Sequence, residues 1–193
     1  GREGMPAEGR FYPDTYTFGK GSSDWRIYHR ALKAMDRQLD LAWQSRRSDL
    51  RLGDPQQLLI LASIIEKETG QASDRGLISV VFHNRMGLNM PLQTDPTVIY
   101  GLGAAFDGNL KRIHLRTDHP WNTYTRRGLP PTPIALPGKA ALTAAIQPAP
   151  SQALYFVARG DGSSEFSPDL TTHNAAVQRY QLRRPSAVSR KAQ

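Results

Sequence analysis

Apolar positions recur along this chain with more than one period, and the changes of period mark its elements. Tyr28, Ala31, Leu32, Met35, Leu39, Ala42 and Trp43 fall mostly three or four apart, the spacing that lines up side chains on one face of an α-helix. An amphipathic helix is predicted there, capped by Ser22, Ser23 or Asp24 and ending near Arg47. Upstream, Arg10–Phe18 (RFYPDTYTF) is aromatic and partly alternating, an extended segment interrupted by Pro13. Asp54-Pro55 has the order of a helix start, a capping carboxylate followed by a proline whose missing N–H is not needed in the first turn. The second helix runs through LLILASIIEKET and stops near Gly70. A third, capped by Ser73 or Asp74, sets Leu77, Val80, Val81 and Asn84 on one face and ends at Gly87.

From Met90 to Pro150 short apolar pieces such as Thr97–Tyr100 alternate with Gly, Asp and Pro, and Pro130, Pro131, Pro133 and Pro137 make a stiff loop. An Ala-rich helix follows at Lys139–Ile146. Ala153–Arg159, the turn Gly160-Asp161-Gly162, and Ser164–Ser167 read as a β-hairpin. A last helix runs from Thr171 to about Arg184. With no internal repeat or long linker, the pattern predicts one α+β domain over residues 1–184. It combines a helical pair with a small β-rich part that includes the C-terminal hairpin, and a basic tail, 185–193, follows.

Charge alters this picture less than the net value of +8 suggests. Five of the 25 basic residues fall in 179–193 without an acid, so the rest of the chain carries 20 bases against 17 acids. The tail is either a solvated end or an attraction to an anionic polymer or membrane surface. Outside it no helix carries a basic stripe, and no nucleic-acid motif occurs, so no nucleic-acid partner is expected. The absence of cysteine excludes disulfides, a thiolate nucleophile and Cys-type zinc sites. The histidines, at 29, 83, 114, 119 and 173, form no HExxH pair, and no GxSxG, Walker or GxGxxG motif occurs. Neither metal nor organic cofactor is expected. The longest apolar region, Leu58–Ile65, is far shorter than the roughly 20 residues that span a bilayer.

Three segments carry candidate chemistry. In the second helix Glu66 shares a stripe with Leu59, Ala62, Ser63 and Gly70. A carboxyl at the end of an apolar stripe is partly desolvated, and desolvation keeps it protonated toward neutral pH, as a general acid in glycoside cleavage requires. Glu68 is rotated from Glu66 by about 200° and cannot face the same site from a regular helix. The other reading of Glu66 is a solvated helix end shared with Lys67 and Glu68, and the residues alone leave both open. Gln93, Thr94 and Asp95 offer amide, hydroxyl and carboxylate groups that suit a sugar, or form an Asp-Pro turn. Trp121, Asn122 and Tyr124 suit a pyranose face and its substituents, or belong to the core beside a structural loop.

In order, LASIIEKETG, VFHNRMGLNMPLQTDPTVIYGLG, WNTYTRRGLPPTPIALPG, ALYFVARGDGSSEFS and THNAAVQRY closely resemble the YceG-like endolytic murein transglycosylases, the MltG family. EGRFYPDTYTF resembles them too, and the likeness covers about Glu8 to Tyr180. The resemblance implies an enzyme that cuts nascent peptidoglycan strands internally, at the bond from N-acetylmuramic acid to N-acetylglucosamine, leaving 1,6-anhydro ends. It implies a catalytic part on the periplasmic side of the inner membrane, a single membrane anchor and a LysM-like subdomain, both outside this chain, and peptidoglycan synthases as possible partners. It maps the catalytic glutamate, the first Glu of the EKET block, onto Glu66, with Gln93, Asp95, Asn122 and Tyr124 as candidates for binding the strand. One carboxylate suffices, because the attacking hydroxyl belongs to the substrate. A lysozyme-type hydrolase, with Asp95 as second carboxylate, and a non-catalytic glycan-binding module are the alternatives.

Overall fold

A computed structural model describes residues 7–182. Helix α1, Asp24–Gln44, buries Ala31, Met35 and Ala42, the inner part of the predicted stripe. The extended segment before it pairs with no strand among the described residues and lies along α1. Tyr12 N donates to Ala31 O at 3.1 Å, and the Phe11 and Tyr28 rings meet at 5.7 Å. Tyr28 therefore packs on that segment rather than in the core.

Helix α2, Pro55–Glu68, starts as its sequence predicts, with the Asp54 carboxylate accepting from Gln57 N at 2.8 Å and proline in the first turn. Every residue from Leu58 to Ile65 is buried. A helix that is apolar on all sides belongs in the middle of a fold, and α2 packs against α1, against α3 (Arg75–Gly87), against α4 (Asp95–Leu102) and most extensively against α6 (Lys139–Ile146). Each large aliphatic side chain enclosed there contributes roughly 1.5–3 kcal/mol over an exposed one. This anchoring holds the point where α2 emerges, at Glu66–Glu68.

Two local expectations are corrected. Asp95-Pro96 is not a turn. It opens α4, with proline in the first turn just as at Asp54-Pro55, and the β-branched Thr97, Val98 and Ile99 disguise that helix as a short extended piece. Asp74 makes no capping bond at the start of α3, and its Oδ2 accepts instead from Ser164 N at 2.7 Å, fastening α3 to the hairpin.

The hairpin pairs β1, Tyr155–Ala158, with β2, Ser164–Ser167, antiparallel, from Tyr155 opposite Ser167 to Ala158 opposite Ser164. Gly160 and Gly162, at φ 95° and 92°, supply the left-handed turn. A two-stranded sheet is marginal by itself. Here α3 secures its base, with Asn84 Nδ2 donating to Ser151 O (3.1 Å) and Ala153 O (2.9 Å), and Arg85 Nε donating to Leu154 O (2.6 Å). The short α5, Arg112–Arg116, precedes the proline loop, and α7, Leu170–Val177, packs on both strands and continues as a π turn, Gln178–Leu182. The predicted final turn to Arg184 and the basic tail lie outside the described residues.

Candidate active site

A cavity of about 500 Å³ opens between the end of α2 and the hairpin. Glu68 supplies one wall, with Arg85 from α3, Gln93, and Asp95 at the start of α4, and Tyr124 also faces it. Tyr155 and Phe156 of β1, with His173 and Asn174 of α7, form the other side. Polar groups on one side and aromatic rings on the other suit a carbohydrate, which offers hydroxyls at its edge and C–H bonds on its faces.

Glu68 is the last residue of α2. Part of its side chain is open to the cavity, but the carboxyl lies deep in protein. Its pKa is pushed up to about 7, against an ordinary value of 4.5, by burial first and to a smaller extent by the charge of Asp95. The Thr94 hydroxyl, which donates to Oε1, acts the other way. Thr94 is held in turn by buried neighbours. Its N–H donates to Thr123 Oγ1 at 3.1 Å, its carbonyl accepts from Thr97 Oγ1 at 2.8 Å, and the Thr97 and Thr123 hydroxyls are 2.8 Å apart. Three threonines thus orient one carboxyl.

Beside Glu68 the Tyr124 hydroxyl donates to Asp95 Oδ1 at 2.5 Å, and burial followed by this carboxylate pushes the phenol pKa up. Gln93 sits at φ 53°, in the left-handed region that a side chain rarely adopts. Its N–H donates to Thr123 O at 3.1 Å, and its Oε1 accepts from Arg85 Nη1 at 3.1 Å.

Three of the four expected strand-binding residues, Gln93, Asp95 and Tyr124, therefore share one cavity, and they share it with Glu68 rather than Glu66. Glu66 does not line it. The stripe of small residues through Ala62 and Ser63 receives the proline loop instead. Ser63 Oγ accepts from Ile134 N at 3.0 Å, and Glu66 Oε2 accepts from Gly138 N at 3.0 Å. Gly138 is the N-cap of α6, so Glu66 does from another helix what the glutamate of a capping box does from its own. Asn122 is also displaced from its expected place. It is 1% exposed, and its Nδ2 donates to His114 O, Leu115 O and Thr117 O while Oδ1 accepts from Tyr124 N, so its polar atoms are committed to backbone. Sequence reasoning missed Arg85, Tyr155 and His173, which long-range packing brings to the cavity. The helical spacing of Arg85 to the apolar Ile78, Val81 and Phe82 was the available signal.

A sequence profile described as the YceG-like family matches residues 2–179, nearly the whole chain. The chain belongs to the YceG-like family. Among similar proteins, the endolytic murein transglycosylase of Bacillus subtilis (strain 168) is 37% identical over 177 residues, which are 91% of this chain and 48% of that protein. The endolytic murein transglycosylase of Streptococcus pneumoniae (strain ATCC BAA-255 / R6) is 34% identical over 157 residues, 78% of this chain and 28% of that protein. The crystal structure of a yceG-like protein from Listeria monocytogenes superposes with a TM-score of 0.73 at 38% identity, covering 86% of this chain and 54% of that one. The α+β fold is thus that of the family, and the chain spans about half the length, or less, of the curated relatives it matches.

Proposed function

We propose that this chain is a lytic transglycosylase acting on murein glycan strands, with Glu68 as both acid and base. One observation carries the reading: the Glu68 carboxyl is enclosed in a cavity wall among hydrogen-bonding groups, and burial lifts its pKa to about 7, which keeps it largely protonated up to neutrality. Protonated Glu68 donates to the glycosidic oxygen and the bond to C1 of the muramoyl residue breaks, leaving an oxocarbenium-like sugar. The Glu68 carboxylate then takes the proton from the muramoyl C6 hydroxyl, whose oxygen closes on C1 as a 1,6-anhydro ring. The proton is returned and no water is consumed. Because the hydroxyl is tethered to the ring, its effective concentration far exceeds that of a loosely held water. The names of the relatives in Bacillus subtilis and Streptococcus pneumoniae support the substrate and the internal cut. Nascent murein lies outside the cytoplasmic membrane, so the proposal includes work on that side, tethered to the membrane and beside the synthases.

A second reading has one observation in its favour. Asp95 lines the same cavity as Glu68, and a pair of carboxyls is the apparatus of a hydrolase. Mass spectrometry of digested strands separates the two. Transglycosylation leaves 1,6-anhydro-muramoyl ends, one water lighter than hydrolytic ends and resistant to borohydride. Reducible muramic acid ends in the majority would sink the first reading and make Asp95→Asn the next variant to test.

A further inference from the structure

Arg85 is 6% exposed, yet its hydrogen-bonding partners are neutral. Nε donates to Leu154 O, and Nη1 donates to Pro91 O (3.1 Å), Leu92 O (3.0 Å) and Gln93 Oε1 (3.1 Å). No carboxylate among the described residues pairs with it, and Nη2 has no hydrogen-bonding partner among them. The guanidinium carbon stands 5.0 Å from the centre of the Tyr155 ring, and Tyr155 stacks on His173 with ring centres 5.2 Å apart. His173 Nδ1 is buried with no hydrogen-bonding partner. All three residues line the cavity that holds Glu68. A buried cation without a counter-charge is costly, and a planar guanidinium with one nitrogen left over is suited to a carboxylate.

We propose that Arg85 forms an anion subsite in this cavity, which holds a carboxylate of the substrate beside the bond being cut. The inference rests on the murein reading above. Muramoyl strands offer that chemistry from two sources, the lactyl group where it bears no peptide and the free carboxyls of a stem peptide where it does. Neutral amino-sugar polymers offer neither. The same cavity thus selects muramoyl strands by charge, while Glu68 performs the cleavage.

The test compares four soluble strands: one with free lactyl carboxylates, one with these converted to methylamides, one bearing stem peptides, and one bearing stem peptides with amidated carboxyls. The unmodified protein should lose about 10- to 100-fold in kcat/KM on neutralising whichever source the subsite reads, the size expected for a charge-assisted hydrogen bond. A loss in the first pair assigns the lactyl group, and a loss in the second assigns the peptide. Arg85→Met, confirmed folded by circular dichroism, should cleave the charged and neutral members of that pair equally, and Arg85→Lys should keep part of the preference. Equal kcat/KM for the unmodified protein within both pairs overturns the proposal, whether or not the variants fold. Binding of the same four strands to Glu68→Gln, followed by calorimetry, reads the subsite without catalysis. If nothing is cleaved but charged strands still bind more tightly, the transglycosylase reading fails and the subsite stands.

Discussion

Glu66 and Glu68 leave the same helix two residues apart and end in different surroundings. Glu66 turns toward the proline loop, where a backbone N–H at the head of α6 takes one oxygen. Glu68 turns into the cavity, where one hydroxyl reaches it, burial surrounds it and the charge of Asp95 opposes its ionisation. The first environment uses a side-chain oxygen as an acceptor that fastens two elements. The second keeps a carboxyl protonated and leaves it open to a ligand. Both are single carboxyls at the end of an apolar helix, so an apolar stripe alone does not identify an acid. What separates them is what covers the stripe, and that is decided by residues some 70 positions away.

The sharpest way to break the comparison is to neutralise each carboxyl in turn. Glu68→Gln keeps the shape and a partner for the Thr94 hydroxyl but cannot release an acidic proton. Strand cleavage should fall by about 10²- to 10⁴-fold, the usual cost of losing general acid–base catalysis. Glu66→Gln still presents an oxygen to Gly138 N–H, and cleavage should stay within about threefold of the unmodified protein, on the same scale. Release of anhydro ends, quantified by mass spectrometry, measures both. The reverse ranking would give the catalytic role to Glu66, as its place in the EKET block implies.

Stability should separate the two next. Glu68 ionises in the folded state only near pH 7, against an ordinary 4.5. The folded protein therefore binds its proton more tightly than the unfolded chain does. That contribution is fully present below pH 4.5 and is lost as the pH rises through about 7. Up to roughly 3 kcal/mol is at stake, from about 1.4 kcal/mol per pKa unit. Glu68→Gln removes the ionisation, so its stability relative to the unmodified protein should rise between pH 4 and pH 9 by an amount of that order. Urea midpoints at the two pH values give the difference. Cleavage should decline over the same interval, as the acid loses its proton. A flat difference between the two proteins would mean that Glu68 is not held protonated by the fold.

Much of this architecture is legible in the chain itself. The Asp54-Pro55 start, the apolar run of α2, the Ala-rich α6 and the hairpin all rest on local spacing and turn chemistry, which act over a few residues. The site is only partly legible. Gln93, Asp95 and Tyr124 stand out because each is a polar or aromatic group in a short cluster, and one cavity collects all three. The surroundings of Glu66 and Glu68 are not readable from helical phase, since phase gives the angle between them but not what each angle meets. Arg85 fails for the same reason, because its partners Leu154 and Tyr155 arrive from the hairpin. Asn122 shows the converse case. Its residue type suits a sugar, but three backbone carbonyls use its amide.

The smallest expected effect tests the quieter half of the comparison. If Glu66 serves as a remote cap for α6, removing its oxygens should cost about 1 kcal/mol, as for other lost caps. The reason is local. Gly138 N–H sits at the positive end of α6, where an acceptor is favoured, and no other acceptor for it is evident among the described residues. Glu66→Ala should therefore lower the urea midpoint modestly while leaving kcat/KM on short strands almost unchanged. Glu66→Gln should recover most of the loss, because an amide oxygen accepts the same hydrogen bond without the charge. The signature is a stability change that follows the presence of an acceptor and an activity that does not. If Glu66→Ala instead loses cleavage in step with Glu68→Gln while its midpoint holds, the loop-facing carboxyl takes part in the chemistry, and the division of labour at the end of α2 is wrong.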